Sequence, residues 1–412
     1  MTSRGAIVYL TADGLLEPIG FSQVVRVVEA LARHGWHYKA VSLERPTDLA
    51  NEQRVREVRA RLGAAGVDWE ILPYAVGGSA RDAARNEGAL ISAAVKAARA
   101  GAKGFHARAY HGGVAALAAW YATATPWIFD ARSYWFDERL EEGRWFTTPL
   151  RLGIARGVEH QLFSRAVGVV TLTELQADDV RDGRFGPSHH RAVRCITTCA
   201  DFEEFARRPI DSCTRVPAAL RAQLASRRVM GIVGSINRSY LVDETLRLCG
   251  KVLARDPQAH LLILGSQHEE YSKRASAAGL DPSRLTITRA PHDAMSEWLS
   301  LMEWGLLLLN PASPAKRASM PTKLAEFFGV GVRPVQYGCS TEVSAWVRST
   351  GSGFVLDDVT EASLERAAET MAAPRAPVSI LSRARELAVP HFALESGLRK
   401  YDEVLRACFG TA

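Results

Sequence analysis

Between Ser319 and Val335 the chain reads SMPTKLAEFFGVGVRPV, which sets a hydroxyl, a cation and a carboxylate at helical spacing. With Pro321 as an early helical position, where its missing N–H is no loss, Thr322, Lys323 and Glu326 share one helix face. Leu324, Phe327 and Phe328 make the opposite, apolar face. The free amides of the first turn lie at the positive end of the helix dipole and suit a phosphate. Ser319 and Thr322 add hydroxyl donors, and Lys323 adds a full charge. Glu326, one turn deeper, can accept two hydrogen bonds from a ribose diol. The alternative is a capped surface helix with a Lys–Glu pair. The preceding run GLLLLNP and the glycine exit at Gly329 and Gly331 favour binding.

Three further stretches carry chemistry. In FDARSYWFDERLEEGRWF the charges follow an apolar run. Asp130 can accept a hydrogen bond from a sugar or acceptor hydroxyl, and Arg132 can fix Asp130 or a phosphate. Trp135, Phe136, Trp145 and Phe146 offer flat faces for stacking. The alternative is a buried Asp–Arg pair bracing a loop, with the aromatics in the core. His106 and Arg108, in HARAYHGG, stand between the same two readings. In TADGLLEPIGFSQV, Gly14 and Gly20 allow close backbone approach to a ligand, and Ser22 can cap the helix that follows. A plain strand-to-helix turn explains Gly14 equally well. Glu17 is a candidate for the acceptor side.

These residues need elements to hold them. Apolar runs alternate with helical patterns: AIVYL, then a stripe at Val24, Val27, Val28 and Leu31, then YKAVSLE, KGFHAR, PWIFDAR, VGVVTL and AVRCIT. After a proline-punctuated polar span the pattern restarts with VMGIVGS, AHLLILGS, RLTITRA and GLLLLN. Such alternation predicts an α/β fold of two doubly wound, Rossmann-like domains with parallel sheets, facing across a cleft. The expected boundaries are 1–205, a linker at 206–226, a second domain at 227–389, and a helical segment at 390–412, after a break at Pro390, free to cross back. Ligands of such sheets bind at the carboxyl ends of the strands, where the residues above fall.

The 412 residues are 47% hydrophobic and 23% charged, as in a soluble globular protein. No run is long enough to cross a bilayer, and the N-terminus lacks a secretion signal. Six scattered cysteines without a CxxC pair suit reduced thiols and a cytoplasmic location. His189, His190, Cys195 and Cys199 match no common zinc spacing. The net charge of +6 is not organised into a nucleic-acid motif. The arginine-rich NEQRVREVRARLG reads as a solvated helix in preference to a membrane-surface one.

The Ser319–Val335 segment resembles the nucleotide-binding motif of GT-B glycosyltransferases, specifically glycosyltransferase family 4, in its SPTKLxEYLAxGxPV form. The likeness spans nearly the whole chain. TADGLLEPIGFSQV resembles the family's first loop and helix, HARAY and FDARSYWFDE its acceptor-domain motifs, and IVGSINRSYLVDE the opening of its second domain. It implies transfer of a hexose-type sugar from a nucleoside diphosphate, UDP before GDP, with retention and without a catalytic metal or other cofactor. The acceptor would be a small molecule, as in secondary metabolism, or a glycan. Asp130, Lys323 and Arg238 would be catalytic. Gly14, Gly20, Ser235, Arg238, Ala290, Ser319, Pro321, Thr322, Lys323 and Glu326 would bind the nucleotide. Ala290 would face the base through its backbone, in TRAPHDAMSEWL. Glu17, His106, Arg108, Arg132, Trp135 and Phe136 would serve the acceptor. The chain departs from the family at Ala318, eight before Glu326, where many members have a second glutamate. It also has Asp130 where many have a histidine, and Arg238 only partly matches the diphosphate clamp. There is no D-x-D pair to hold a divalent ion beside the diphosphate. Two other outcomes stay open: an epimerase or pseudo-glycosyl coupling enzyme on this fold, or a non-catalytic nucleotide-sugar-binding protein.

Overall fold

The computed structural model describes residues 5–141, 148–187, 189–311, 320–374 and 378–410. Two compact units divide the chain: Met1–Thr197 together with Gly397–Ala412, and Thr198–Ser396.

The first unit is built on seven strands: β1 (Ile7–Thr11), β2 (Tyr38–Glu44), β3 (Asp68–Pro73), β4 (Gly104–Arg108), β5 (Trp127–Ala131), β6 (Gly168–Thr171) and β7 (Ala192–Cys195), in the order β3-β2-β1-β4-β5-β6-β7. All pairs are parallel. β1 and β5 are buried along their whole length, which is why they read as continuous apolar runs. β3, with the sequence DWEILP, stands at the sheet edge and stays half-exposed, so it left no such run. The stripe Val24, Val27, Val28 and Leu31 is buried. Its helical stretch begins at Pro18, passes through a π-type turn over Phe21–Val25 and continues over Arg26–Arg33. Ser22 therefore lies inside the helix, its hydroxyl donating to the Ile19 carbonyl at 3.3 Å, and is not a cap.

The second unit holds β8 (Arg228–Val233), β9 (Ala259–Leu264), β10 (Leu285–Thr288), β11 (Trp304–Leu308), β12 (Arg333–Tyr337) and β13 (Phe354–Val355), in the order β10-β9-β8-β11-β12-β13. These pairs are parallel too. One face of this sheet packs Ile232, Ile263, Leu306 and Val335 under the helices Val242–Arg255 and Glu361–Ala372, which contribute Leu246, Val252, Leu364 and Ala368.

Two expected boundaries move. The span 206–226 is part of the second unit. There Arg207 donates to the carbonyls of Val330 at 3.2 Å, Ser300 at 3.3 Å and Met302. A guanidinium satisfying three carbonyls is a built-in brace, and the proline punctuation hid it. Pro390 does not interrupt a helix, since Val378–Phe392 runs through it and the next helix is Leu394–Phe409. Residues from Gly397 onward belong to the first unit, where Trp36 donates to Asp402 at 2.8 Å and Lys400 to the Cys195 carbonyl at 3.2 Å. No helix among the described residues is long and apolar enough to cross a membrane.

Replacing Arg207 by Met keeps the apolar stem and strands three carbonyls. The expected loss in the full chain is about 1–3 kcal/mol by urea denaturation; an unchanged midpoint would mean that water satisfies those groups.

Candidate functional site

In each sheet the strand order reverses once, between β1 and β4 and between β8 and β11. The loops leaving the strands on either side of such a switch diverge and open a crevice at the carboxyl ends. In the second unit these are the loop after β8, Gly234 to Tyr240, and the chain after β11 that enters helix Thr322–Val330.

The loop after β8 is fixed from several sides. Tyr271 donates through its hydroxyl to the Gly234 carbonyl at 3.1 Å. The Gln267 side-chain amide accepts from the Ile236 N–H at 2.6 Å and donates to its carbonyl at 3.3 Å. Tyr240 bridges Leu309, the Leu241 N–H donates to Leu308 and the Asn310 N–H to Ser239, both at 2.9 Å, tying the loop to the end of β11. Gly234 has φ +119°, and a Cβ there would lie 2.4 Å from the Lys323 Nζ. The positive φ is what calls for glycine, and the short contact places the Lys323 head directly against it. Lys323 thus reaches across the switch point, donating to the Tyr240 hydroxyl at 3.1 Å with its Nζ 4.4 Å from the centre of the Tyr240 ring.

Pro321 is not the first helical residue. Its ψ of 130° is extended, and it occupies the N-cap, with its carbonyl accepting from the Leu324 N–H at 3.1 Å. The amides of Thr322 and Lys323 consequently head the helix. Thr322, Lys323 and Glu326 are half-buried along one side, while Leu324, Ala325, Phe327 and Phe328 are buried on the other. Ser235 and Arg238 are exposed on the loop after β8, and Ala290 is half-buried after β10. The structure therefore places Gly234, Ser235 and Arg238 on the loop after β8, and Pro321, Thr322, Lys323 and Glu326 at the start of the helix after β11, with Ala290 just after β10. Ser319 lies outside the described residues. A cavity of about 620 Å³ in this unit lies elsewhere, against the amino ends of β8 and β11 at Val229 and Met302. None of the predicted site residues lines it, and the strand-end chemistry outweighs its size.

In the first unit Asp130, at 0% exposure, sits at the centre of a buried network, in which His106 Nε2, Arg132 Nε and the Tyr9 hydroxyl lack hydrogen-bond partners among the described residues. Arg132 donates to its Oδ1 at 3.1 Å and Tyr401 to its Oδ2 at 3.0 Å. The His106 Nε2 is 3.5 Å and the Arg108 Nη1 4.0 Å from Oδ2. Tyr38 hydrogen-bonds the His106 Nδ1 at 3.2 Å. Burial alone would raise the Asp130 carboxyl; Arg132, His106 and Arg108 outweigh it and hold it well below the usual carboxylate range. Burial pushes the phenols of Tyr9, Tyr38 and Tyr401 up. The bracing alternative for Asp130 and Arg132 is thus the arrangement seen. Arg108 also donates to Asp13 at 2.8 Å, joining the ends of β1 and β4 at the first sheet's switch.

The first loop is organised by Glu44, which the sequence patterns did not single out. Its carboxylate accepts from the N–H groups of Leu15 at 2.6 Å and Leu16 at 3.3 Å and from Ser42 at 2.5 Å. Burial pushes this carboxyl up, against those hydrogen bonds. Gly14 and Gly20 are buried, and a Cβ on Gly20 would lie 1.9 Å from the Gly14 carbonyl oxygen. Gly20 thus packs directly on the Gly14 backbone, and a Cβ on Gly14 would lie 2.9 Å from the Glu44 Oε2. Glu17 is paired with Arg45 at 3.0 Å. Trp135 is half-exposed and stacks on Tyr110 with ring centres 5.8 Å apart, whereas Phe136 is 6% exposed and belongs to the core. Trp145 and Phe146 lie outside the described residues. Among those described, no three His, Cys, Asp or Glu side chains are grouped to hold a metal ion.

No protein-family model matches the chain, and no curated protein matches it. Solved structures do. HepE from Anabaena, in complex with UDP and glucose, is 14% identical, with a TM-score of 0.66 over 98% of this chain and 99% of that one. Sucrose-phosphate synthase from Thermosynechococcus elongatus is 15% identical, TM-score 0.69, over 98% and 99%. A Listeria monocytogenes chain assigned as UDP-N-acetylglucosamine 2-epimerase is 9% identical, TM-score 0.61, over 98% and 96%. The fold is GT-B, two Rossmann-like domains in one chain.

Replacing Asp130 by Asn leaves the buried Arg132 guanidinium without its carboxylate, while Arg108 keeps Asp13, and should cost about 3–5 kcal/mol in urea unfolding. Because the folded carboxyl is depressed, its contribution is present above the unfolded value and lost as pH falls below about 4. The variant should therefore lose less additional stability than wild type over that range; parallel pH profiles would contradict the assignment.

Proposed function

We propose that this protein is a glycosyltransferase, of the family 4 type, that moves a hexose-type sugar from a nucleoside diphosphate sugar to a hydroxyl of a small molecule or glycan. The observation that carries the reading is the Lys323 ammonium, held over Gly234 at the switch between β8 and β11 and beside the amides that begin helix Thr322–Val330. A diphosphate there meets a charge and a helix terminus together. Glu326, one turn on, takes the ribose, and the loop at Ala290 faces the base. UDP is preferred to GDP, supported by the UDP and glucose held in the HepE structure.

In this reading the bond from the anomeric carbon to the terminal phosphate oxygen breaks. The charge left on the diphosphate is taken up by Lys323, Arg238 and the amides of Thr322 and Lys323. The acceptor hydroxyl oxygen bonds to the same face of the sugar, giving retention, and its proton passes to an oxygen of the leaving phosphate. No protein nucleophile is needed. The reading includes no catalytic metal or other cofactor, in keeping with a sequence that has no D-x-D pair. Arg108, Glu17, His106 and Trp135 serve the acceptor side, and Asp130 and Arg132 hold that side in shape. A bacterial, cytoplasmic enzyme of secondary metabolism suits the reduced cysteines and the alanine- and arginine-heavy chain.

The likeness to the Listeria chain supports a second reading, epimerisation of the nucleotide sugar. Labelled donor separates the two, since epimerised sugar without acceptor product rejects transfer. Under the first reading Lys323→Ala lowers turnover more than about tenfold, the scale of a lost charge stabiliser. Unchanged turnover in that variant would contradict it.

A further inference from the structure

We infer that Tyr240 is a second donor to the diphosphate and the residue that positions Lys323 for it, an inference that rests on the nucleotide-sugar reading of this site. A lysine head on four rotatable bonds is a loose point charge unless something fixes it. Here three surfaces do. The Tyr240 ring lies 4.4 Å from Nζ, a cation–π distance. The Tyr240 hydroxyl accepts one ammonium hydrogen at 3.1 Å. The bare α-carbon of Gly234 lies on the third side, where a built Cβ would come within 2.4 Å of Nζ. Behind the lysine, among Ser235, Thr245, Tyr271 and Leu306, the cavity is only about 20 Å³. That holds about one water.

The hydrogen-bond inventory then fixes what is left to offer a ligand. An ammonium has three hydrogens, and Tyr240 accepts one. Two point elsewhere. Because the phenol oxygen accepts from Lys323, its own hydrogen must be aimed at a different acceptor. Tyr240 is held in place by its backbone as well, through the bridge to Leu309 and the 3.2 Å hydrogen bond from its N–H to the Asn237 carbonyl. The pair thus presents two N–H donors and one O–H donor from a preorganised unit, suited to two adjacent phosphate oxygens. Nothing in the residue type of Tyr240 announces this. It emerges only when the loop after β8 is laid beside the helix that carries Lys323.

The test is UDP binding by the full chain, measured by titration calorimetry, with the unliganded thermal midpoint recorded for each variant. Lys323→Met should weaken UDP by more than about tenfold. Tyr240→Phe keeps the ring and removes the hydroxyl; it should weaken UDP ~two- to tenfold with the unliganded midpoint unchanged. Tyr240→Leu should weaken it further. The double variant Tyr240→Phe with Lys323→Met should bind little worse than Lys323→Met alone, since the two act as one unit. If Lys323→Met weakens UDP while both Tyr240 variants bind as wild type, or tighter because the ring had drawn the cation away, this inference is overturned and the site reading survives. If a folded wild type does not bind UDP, or Lys323→Met binds it equally, both are overturned. Should Tyr240→Leu not fold, Tyr240→Phe and the double variant still decide.

Discussion

A positive charge has to be held at the mouth of a parallel sheet without being neutralised by a neighbouring carboxylate. The second unit meets this constraint with Lys323, whose ammonium rests on an aromatic ring, a phenol oxygen and a glycine α-carbon. None of those partners is an anion, so among the described residues neutral groups order the charge. The surrounding architecture serves that arrangement. The order reversal between β8 and β11 separates two loops, Gln267 and Tyr271 stiffen one, and β11 leads the chain toward the helix that carries the lysine. Arg207 and Arg385 secure the far end of the same helix, donating to the carbonyls of Val330 and Gly329.

The first unit handles charge in the opposite way. Asp130, Arg132, Arg108 and His106 are drawn together inside the fold, where each is matched by a partner. Such a network holds its members in fixed positions. Its reach is wide. Tyr401 brings in the final helix, and Asp13 brings in the loop after β1. Arg108 is the member that meets the strand switch, and through it the buried network shapes the end of the sheet.

Much of this was legible in the sequence because the driving patterns are local. Fully buried parallel strands such as IVYLT and AHLLIL leave largely apolar runs. The amphipathic split of TKLAEFFGV, with Leu324, Phe327 and Phe328 inward, follows from helical period alone. What escaped depends on long-range partners. β3 is an edge strand without an apolar run. Arg207 sits in a segment that reads as a linker until its three carbonyl acceptors are placed. Glu44 closes a strand as an ordinary glutamate, and only the fold reveals that the first loop is hung on it. For Gly14 and Gly20 the need for small residues was readable, but what approaches them was not. Tyr240 carried no signal beyond its nearness to the loop after β8.

A crystal structure of the full chain with UDP measures the central claim most directly. The account predicts a terminal phosphate within hydrogen-bonding distance of the Lys323 Nζ and the Thr322 amide, with Glu326 on the ribose hydroxyls. UDP bound anywhere else in an otherwise intact chain, or a Glu326 turned into apolar packing, would contradict it.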